Sequence, residues 1–353
     1  MNVQRRLWFF CLEYNQDSIL VSHTYSWIRE MSKYFEYTTV VCVRATSSPH
    51  SPNIDVIELG GGSTRNRINA LMRLAKISLQ VFAKRSESVI FHHMLIQPLA
   101  MFGWFYKSIK VPQVLWYSHS AKSLTLRVGS IFCDAIVTPS RDCFPIKGSK
   151  RVIEVGHGIQ VALFEEEWNR SKRRRDIVVV GRISRIKNLE LIVDAVSRYQ
   201  DISGVRIEID LIGPILDIAY SEYLTELSAD KGVVLRFIPA QNPAMIPSLL
   251  SHYRYSYNGN PKTLDKSAVE AVLAGCFLLT EIEPALQLTG MKKVWSDMNL
   301  LNPSLLQQLS SVESLDEEGV IHLRRQLFET AKRNNELTGT ISRIVSVLTR
   351  VYS

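Results

Sequence analysis

The sequence of 353 residues is 46% hydrophobic and 22% charged, a composition typical of globular proteins, which excludes a disordered or fibrous chain. Its length exceeds what one hydrophobic core usually supports, so two domains are expected. The net charge of +8 lies in residues 1–165, where 19 Lys and Arg outnumber 11 Asp and Glu. A basic first half beside a neutral second half indicates that the two halves meet different partners, and nucleic acid and an anionic membrane surface are the usual candidates.

The residue pattern disfavours a membrane-spanning protein, a signal peptide, and a fold held by disulfides or zinc. No apolar run reaches the roughly 18 to 20 residues that span a bilayer. Glu13 closes the first apolar run without a small-residue cleavage site, so this run is predicted to be a buried strand and not a signal peptide. The five cysteines form no Cys-x-x-Cys pair, which argues against a disulfide framework and a zinc site. A reducing, cytoplasmic setting is expected.

Short β-branched runs alternate with longer helical periodicities, which is typical of parallel α/β architecture. Strands in the first half are predicted at residues 7–12, 39–44, 54–59, 88–92, 113–117, 135–138 and 152–155. Strands in the second half are predicted at residues 177–180, 206–212, 233–237, 253–257 and 277–280. Helices are predicted at residues 21–34, 66–85, 189–199 and 267–274.

A charge-dense segment, FEEEWNRSKRRRD at residues 164–176, separates the two strand–helix series. Because it lacks an apolar face, we predict a linker here and a domain boundary between residues 165 and 166. A nucleic-acid patch would normally add interleaved aromatic residues and a second basic cluster. The KRRR run is therefore interpreted as solvated, and no nucleic-acid partner is expected.

The stretch IVVVGRISRIKNLELIVDAV, residues 177–196, predicts a buried strand, a turn and an amphipathic helix. Gly181 allows a tight turn after the strand. The apolar residues of the helix recur at spacings of three and four from Leu189, and Asn188 stands before them as the predicted N-cap. The pattern is that of a strand–turn–helix unit whose helix N-terminus lies at the carboxyl end of a strand.

Three cations, Arg182, Arg185 and Lys187, crowd into this turn. A helix N-terminus presents backbone N–H groups and a partial positive charge, which disfavour cations by about 0.3 to 1 kcal/mol but attract anions. A structural role therefore does not explain the cations, and the turn predicts a phosphate or diphosphate site. The alternative is a basic turn that is only solvated.

A second constellation, NGNPKTLDKSAVEAVLAGCFLLT at residues 258–280, predicts a Gly/Asn/Pro loop, a helix and a further strand. Gly275 is predicted to end the helix. Glu270 has apolar neighbours in the sequence, where a carboxylate needs hydrogen-bond donors, and ribose hydroxyls are suitable ones. The alternative is an exposed glutamate on a helix.

Three other features give weaker predictions. GGGS at residues 60–63 lacks the spacing of a dinucleotide fingerprint and is predicted to be a flexible loop. His92 and His93 are adjacent, so their side chains point to opposite sides of a strand and cannot chelate one metal. No Asp-x-Asp motif stands in a predicted loop either, so no metal site is expected. The helix at residues 66–85 mixes apolar residues with cations, and is predicted to present either a solvated face or a surface for anionic lipid head groups.

Together, VVVGRISRIKNLELIVDA and the downstream DKSAVEAVLAGC strongly resemble retaining GT-B glycosyltransferases of family 4. The family pattern is a strand, Gly-Arg, a Lys-Asn pair and later a glutamate in a Glu-Ala-x-x-x-Gly helix. The likeness extends over nearly all of residues 110–353 through four further segments: CDAIVTPSRDC, VIEVGHGIQVALF, NNELTGTISRIVSVLTRVY and IEIDLIGP, a strand that ends at Gly213.

The resemblance implies a GT-B fold of two Rossmann-like domains that face each other across a cleft. Residues 1–165 would bind the acceptor, residues 166–336 the nucleotide sugar, and residues 337–353 would form a closing helix that crosses back to the first domain. The implied reaction is metal-independent sugar transfer with retention, from a UDP- or GDP-sugar that is a substrate, with no cofactor. A glycan or lipid-linked acceptor of surface polysaccharide or lipopolysaccharide synthesis is implied. The protein would then be cytoplasmic, with peripheral membrane contact through its basic N-terminal domain.

Carried over residue by residue, the resemblance implies that Arg182 and Lys187 bind the donor diphosphate and stabilise it as the leaving group. His119, in VLWYSHS, is implied to end a strand beside the reacting sugar; the alternative is a polar residue with a structural hydrogen bond. Glu270 would hold the ribose. The remaining implied donor-site residues are Gly181 and Gly213 in the turns that follow two strands, Phe237 and Ile238 near the base, and Leu264, Asp265 and Lys266 near the sugar and phosphates.

The chain departs from the family pattern at two places. Lys262 stands where a first glutamate is common, so Asp265 is expected to supply the carboxylate, and a non-catalytic sugar-nucleotide or glycan-binding homologue is the alternative function. YNQDSILVSHTYSWIRE replaces the usual Gly-Gly, and its Asp17, Ser18 and His23 are predicted to be acceptor-site groups or a helix cap. A dinucleotide-dependent oxidoreductase and a nucleic-acid-binding protein are the disfavoured rivals.

Overall fold

The computed structural model describes residues 6–18, 22–47, 51–60, 64–146, 148, 151–168, 174–261 and 264–350. Lys262, residues 61–63 of the predicted loop and residues 169–173 of the predicted linker lie outside these ranges. The chain divides into two compact units. Unit 1 comprises Met1–Gly158 with Leu337–Ser353, and unit 2 comprises Ile159–Glu336. The boundary between residues 165 and 166 stays a prediction.

Within the described residues the chain forms twelve strands: β1 (Arg6–Tyr14), β2 (Tyr37–Ala45), β3 (Ile54–Glu58), β4 (Ser88–His93), β5 (Gln113–Trp116), β6 (Ala135–Thr138), β7 (Val152–Glu154), β8 (Arg174–Val180), β9 (Ile209–Ile212), β10 (Leu235–Ile238), β11 (Tyr253–Tyr257) and β12 (Phe277–Leu279). The α-helices there are α1 (Ser22–Met31), α2 (Thr64–Ala83), α3 (Ile96–Ser108), α4 (Leu124–Phe132), α5 (Leu189–Ser203), α6 (Ile218–Asp230), α7 (Ile246–Leu250), α8 (Lys266–Leu273), α9 (Glu283–Thr289), α10 (Met291–Asp297), α11 (Leu305–Glu313), α12 (Glu317–Asn335) and α13 (Leu337–Arg350). Every predicted strand is present, with ends that differ by at most a few residues. None of the helices described is long and apolar enough to cross a membrane.

Unit 1 contains a seven-stranded parallel sheet in the order β3-β2-β1-β4-β5-β6-β7. One face is covered by α1 and α13, whose Trp27 and Ile341 belong to a buried cluster with Phe9 of β1. The other face is covered by α2, α3 and α4, which bury Leu74 and Leu99 among others. The strands therefore have apolar residues on both faces, as expected for a doubly wound parallel sheet.

Unit 2 contains a five-stranded parallel sheet in the order β10-β9-β8-β11-β12. Chain order runs outward from β8 through β9 and β10, and then resumes on the other side of β8 with β11. The central strands are buried on both faces, and Ile177 and Val178 are fully buried. This burial explains why the sequence of β8 shows an unbroken apolar run and not an alternation.

Local sequence sets the end of α8 in unit 2. Gly275 adopts a positive φ of 87°, which glycine tolerates because it has no Cβ. The N–H groups of Gly275 and Cys276 donate to the carbonyl oxygens of Val272 and Ala271, both at 2.9 Å. These two bonds form a Schellman motif, so Gly275 ends the helix as predicted.

His92 and His93 occupy the carboxyl end of β4, with side chains on opposite faces of the unit 1 sheet. His92 stacks on Phe10 with ring centroids 5.0 Å apart, and His93 stacks on Phe9 at 5.9 Å. Burial lowers the pKa of each ring to about 3. Both histidines are therefore neutral at pH 7.

At the amino end of the unit 2 sheet, Asp210 joins four strands. Its carboxylate accepts hydrogen bonds from Arg236 at 2.7 Å, Arg174 at 2.9 Å and Tyr253 at 2.5 Å. Burial alone raises the pKa of Asp210, but the hydrogen bonds from these three residues outweigh it and hold the pKa below its usual value. The ionised carboxylate thus binds β9 to β8, β10 and β11.

We expect Asp210→Asn to lower the free energy of unfolding at pH 7 by about 1.5 to 3 kcal/mol, because hydrogen bonds to a charged acceptor are lost. A carboxyl group whose pKa is depressed by folding stabilises the protein above its unfolded pKa of about 3.9, and this contribution disappears as the pH falls through the folded value. The deficit of the variant should therefore shrink below about pH 4. Denaturant unfolding at several pH values measures it, with Asp201→Asn, an exposed aspartate of α5, as the control.

Candidate functional site

The carboxyl ends of β8 and β11 lie side by side in unit 2, where the strand order reverses. In open parallel sheets, ligands bind at such a switch point, outside the carboxyl ends of the strands. The loop after β8 leads into α5, and the loop after β11 leads into α8. Both sequence motifs singled out above therefore meet at one place.

Two glycines bring the backbones after β8 and β9 together. Gly181 and Gly213 adopt φ values of 133° and 149°, which side chains of L-residues rarely allow. A Cβ on Gly213 would lie 2.1 Å from the carbonyl oxygen of Gly181. Glycine is thus required at position 213 both by conformation and by space.

Lys187 and Asp265 form an ion pair between the two loops. The Nζ of Lys187 lies 2.5 Å from Oδ2 of Asp265, and their side chains are 12% and 20% exposed. A Cβ on Gly181 would lie 3.1 Å from the Nζ of Lys187, so the ammonium group lies against the turn that follows β8. The structure thus brings Gly181, Lys187 and Asp265 together at the switch point.

Asn188 ties the same two loops together through its backbone and its amide. Its Nδ2 donates to the carbonyl oxygen of Gly259 at 2.9 Å, and the hydroxyl of Tyr257 donates to its carbonyl oxygen at 2.9 Å. Asn188 stands at the predicted N-cap position, but it adopts a left-handed conformation and its side chain makes no capping bond. Instead, the hydroxyl of Tyr220 accepts from the N–H of Leu189 at 2.8 Å.

Tyr257 stays protonated over the physiological pH range. Burial is the largest cause of the rise in its pKa, and the nearby carboxylate of Glu190 adds to it. Its hydroxyl is therefore a permanent donor to Asn188. The hydrogen bond from Tyr257 to Asn188, which joins the two loops, therefore does not change with pH near neutrality.

A chain of buried hydrogen bonds positions Asp265. The Nδ2 of Asn260 donates to Oδ1 of Asp265 at 3.2 Å, and the N–H of Asn260 donates to the side chain of Asn258 at 3.1 Å. The hydroxyl of Thr280 donates to the carbonyl oxygen of Asn258 at 2.7 Å, and Gln308 binds both the N–H and the carbonyl oxygen of Thr280. The roles of Thr280 and Gln308 could not be predicted from the sequence, because nothing in a local pattern connects α11 to this loop.

The remaining cations of the turn have different surroundings. Arg185 donates to Asp217 at 3.2 Å and lies over the ring of Tyr220, so it is held beside α6. Arg182 is exposed and forms no ion pair with any residue in the described ranges. Of the three cations, Lys187 alone forms an ion pair with a residue of the loop after β11 that the structure describes.

The start of α8 carries the other residues of the predicted donor site. Lys266 forms an ion pair with Glu270 one helical turn later, and Glu270 is half-buried. Leu264, two residues before Lys266 in the chain, is buried. The hydroxyl of Ser267, a residue not predicted, donates to the carbonyl oxygen of Val180 at 2.8 Å and joins α8 to the end of β8.

Phe237 and Ile238 are the last two residues of β10, an edge strand of the unit 2 sheet, so the strand extends one residue beyond its predicted end at Phe237. The N–H of Gly213 donates to the carbonyl oxygen of Ile238 at 3.0 Å, which places Ile238 beside the glycine turn. His119 lies in unit 1, in the loop beyond β5, because the strand ends at Trp116 and not at the histidine. Its Nδ1 accepts from the N–H of Ala121 at 3.0 Å.

The residues predicted to contact the acceptor lie near the carboxyl ends of β1 and β4 in unit 1. The hydroxyl of Ser18 donates to Glu13 at 2.9 Å, and Asp17 is exposed in the same turn. The ring of His23 in α1 lies 5.5 Å from that of His93. A contact with an acceptor stays a prediction for all three.

Several solved structures are similar over nearly the whole chain. HepE from Anabaena in complex with UDP-glucose aligns with a TM-score of 0.69 at 13% identity, covering 98% of this chain and 99% of that one. Sucrose-phosphate synthase from Thermosynechococcus elongatus aligns with a TM-score of 0.70 at 12% identity, covering 99% of each chain. α,α-Trehalose 6-phosphate synthase from Burkholderia multivorans aligns with a TM-score of 0.67 at 13% identity, again covering 99% of each. The chain has the GT-B fold.

No protein-family model matches the sequence, and no curated protein sequence matches it significantly. Identities of 12% to 13% establish a shared fold and not a shared activity. The GT-B part of the sequence-based resemblance is therefore confirmed. Membership in family 4 stays a prediction.

We expect Gly213→Ala to destabilise the protein far more than Gly204→Ala. Both residues have a positive φ, which costs an alanine roughly 1 to 2 kcal/mol, but a Cβ on Gly204 meets nothing within 4 Å. The clash with Gly181 should add about 1 to 3 kcal/mol at position 213. Thermal unfolding of the two variants measures the difference, and equal losses would show that the two turns do not depend on this contact.

Proposed function

We propose that the protein is a glycosyltransferase that moves a sugar from a nucleoside-diphosphate sugar to a hydroxyl of a glycan or lipid-linked acceptor, with retention of configuration. The observation that carries this proposal is the pairing of Lys187 with Asp265 at the switch point of unit 2. A cation and a carboxylate there suit the two polar parts of such a donor, its diphosphate and its sugar. Surface polysaccharide or lipopolysaccharide synthesis is the proposed setting.

The diphosphate would be bound by Lys187, Arg182 and the N-terminus of α5. Lys187 would exchange Asp265 for a phosphate oxygen, and Arg182 has no ion pair within the described residues that it would have to break. Each charge-assisted hydrogen bond contributes roughly 1.5 to 3 kcal/mol. Because negative charge grows on the diphosphate as the sugar leaves, these cations would stabilise the transition state more than the bound donor.

The loop after β11 supports binding of the rest of the donor. Asp265, released from Lys187, would accept hydrogen bonds from sugar hydroxyls. The Nδ2 of Asn258 is buried and has no hydrogen-bond partner among the described residues, so a ligand oxygen would satisfy it. Glu270, at present paired with Lys266, would accept from the ribose hydroxyls. Phe237 and Ile238 would lie near the base.

Retention follows if the acceptor hydroxyl attacks from the face that the diphosphate leaves. The bond from the anomeric carbon to the diphosphate breaks, the bond to the acceptor oxygen forms, and the departing diphosphate takes the proton of that hydroxyl. Lys187 and Arg182 would hold the diphosphate in place for both roles. No cofactor and no metal is assigned to the reaction.

The complexes of similar structures favour a uridine nucleotide as the donor. HepE, which has the same overall fold as this chain, was solved in complexes that contain UDP and UDP-glucose. We therefore expect UDP to raise the melting temperature of this protein and NAD to leave it unchanged. A ligand at 100 times its Kd adds about 2.7 kcal/mol, or roughly 5 to 10 °C for a unit of this size.

A thermal-shift panel with UDP, GDP, ADP and NAD checks this expectation. Stabilisation by GDP alone would support the proposed glycosyltransferase but show that its donor carries guanine and not uracil. Stabilisation by NAD alone would contradict it and favour an oxidoreductase. Stabilisation by a nucleoside diphosphate without hydrolysis of any donor sugar would favour the non-catalytic homologue.

We expect Lys187→Ala to lower the rate of sugar transfer about 10²- to 10³-fold, because it removes a cation from the leaving group and leaves Asp265 as an unpaired anion beside it. Lys231→Ala is the matched control, since Lys231 also pairs with an aspartate, Asp194, at 2.7 Å in unit 2 but lies away from the loops. Initial rates with the donor identified by the thermal-shift panel measure both variants. Activity of Lys187→Ala close to that of the control would exclude the assigned role.

A further inference from the structure

The outer surface of α2, α3 and α4 exposes large apolar side chains. These three helices cover one face of the unit 1 sheet. His92 of β4 lies opposite Leu115 of β5 and stacks on Phe10 of β1, so all three side chains are on this face. Phe10 and Leu115 belong to the two buried clusters that lie beneath the helices. Six of the exposed apolar side chains are between 57% and 77% exposed: Ile68, Met72, Leu79, Trp104, Leu124 and Ile131.

The apolar residues of α2 explain how this surface arises. Leu74, Ile77 and Val81 are buried against the sheet and provide the packing face that the fold needs. Ile68, Met72 and Leu79 repeat at helical spacings on the exposed side and are not needed for that packing. Single exposed apolar residues are common, but a surface of them on three adjacent helices marks an interaction site.

The charge of this surface has one sign. The sequences of α2, α3 and α4 contain no Asp or Glu, although 34 acidic residues occur in the chain. Exposed cations lie among the apolar residues, at Arg67, Lys76, Lys107 and Arg127. The complementary partner is therefore both anionic and apolar.

An anionic bilayer surface meets both requirements. Head groups supply negative charge, and the acyl chains beneath them accept apolar side chains. A second copy of the chain is disfavoured, because a twofold contact would place these cations against each other. Nucleic acid is disfavoured, because aliphatic residues outnumber the aromatic ones on which bases stack.

We propose that the outer surface of α2, α3 and α4 docks unit 1 onto an anionic lipid bilayer. Arg67 and Lys76 bind lipid phosphates while Met72 and Leu79 enter the boundary between head groups and acyl chains. This proposal goes beyond the donor site of unit 2 and does not depend on the reaction proposed for it.

Trp104 is suited to this boundary, where tryptophan side chains are enriched. Its ring is exposed, and its indole N–H donates to the carbonyl oxygen of Met101 within α3 at 2.9 Å. The ring can therefore leave water without losing a hydrogen bond. Arg85 lies over the ring of Phe82 at 4.7 Å, which places a further cation beside an apolar group at the end of α2.

Vesicle flotation of the full chain tests the proposal. We expect the protein to float with vesicles of phosphatidylcholine and phosphatidylglycerol, less so as salt rises, and not with phosphatidylcholine alone. The double variant Met72→Glu with Leu79→Glu should bind at least tenfold more weakly. The matched control is Ile202→Glu with Leu301→Glu, which changes two apolar residues of unit 2 that are more exposed than Met72 and Leu79.

A second variant separates charge from insertion. Arg67→Gln with Lys76→Gln should weaken binding about fivefold per cation removed. Both residues are exposed, so folding should survive, and an unchanged melting temperature checks it. Absence of flotation, equal flotation on neutral vesicles, equal loss in the unit 2 control, or a dimer in solution that Met72→Glu with Leu79→Glu breaks would each overturn the proposal.

Discussion

The ammonium group of Lys187 is largely withdrawn from water, so it needs an anionic partner close by. That partner, Asp265, lies 78 residues further along the chain, in the loop after a different strand. The two residues can meet only because β8 and β11 are neighbours in a parallel sheet, which brings their carboxyl ends to one edge. The tight turn at Gly181 and the start of α8 are shaped by the same requirement.

The two loops form one polar unit. Asn188 and Tyr257 join them through the backbone, and a chain of hydrogen bonds from Gln308 through Thr280 and Asn258 fixes the loop that carries Asp265. Such preorganisation matters for a leaving group, because dipoles that already point at the developing charge need no rearrangement when it forms. Side chains outside the two loops, Gln308 of α11 and Thr280 just after β12, thus contribute to the geometry around Asp265.

Much of the fold could be predicted from the sequence, because buried parallel strands leave β-branched runs that end at glycine, as in residues 177–181. The cations near Lys187 and the loop with Asp265 were also found, since both stand beside helix starts. Other features depend on the tertiary fold. The amide of Asn188 binds Gly259 and not its own helix, and Gln308 reaches Thr280 from another element. Which apolar residues of α2 face outward could not be predicted either, because both sides of that helix are apolar.

The hydrogen bonds that join the strands of unit 2 and the candidate site lie at opposite ends of the sheet. Asp210, Arg174, Arg236 and Tyr253 hold four strands together at the amino end, whereas the loops at the carboxyl end carry the candidate site. Substitutions in those loops leave the amino-end hydrogen bonds untouched. A lineage of such proteins could therefore change the ligand proposed for this site while keeping its fold, since the residues of the candidate site are separate from those that secure the strands.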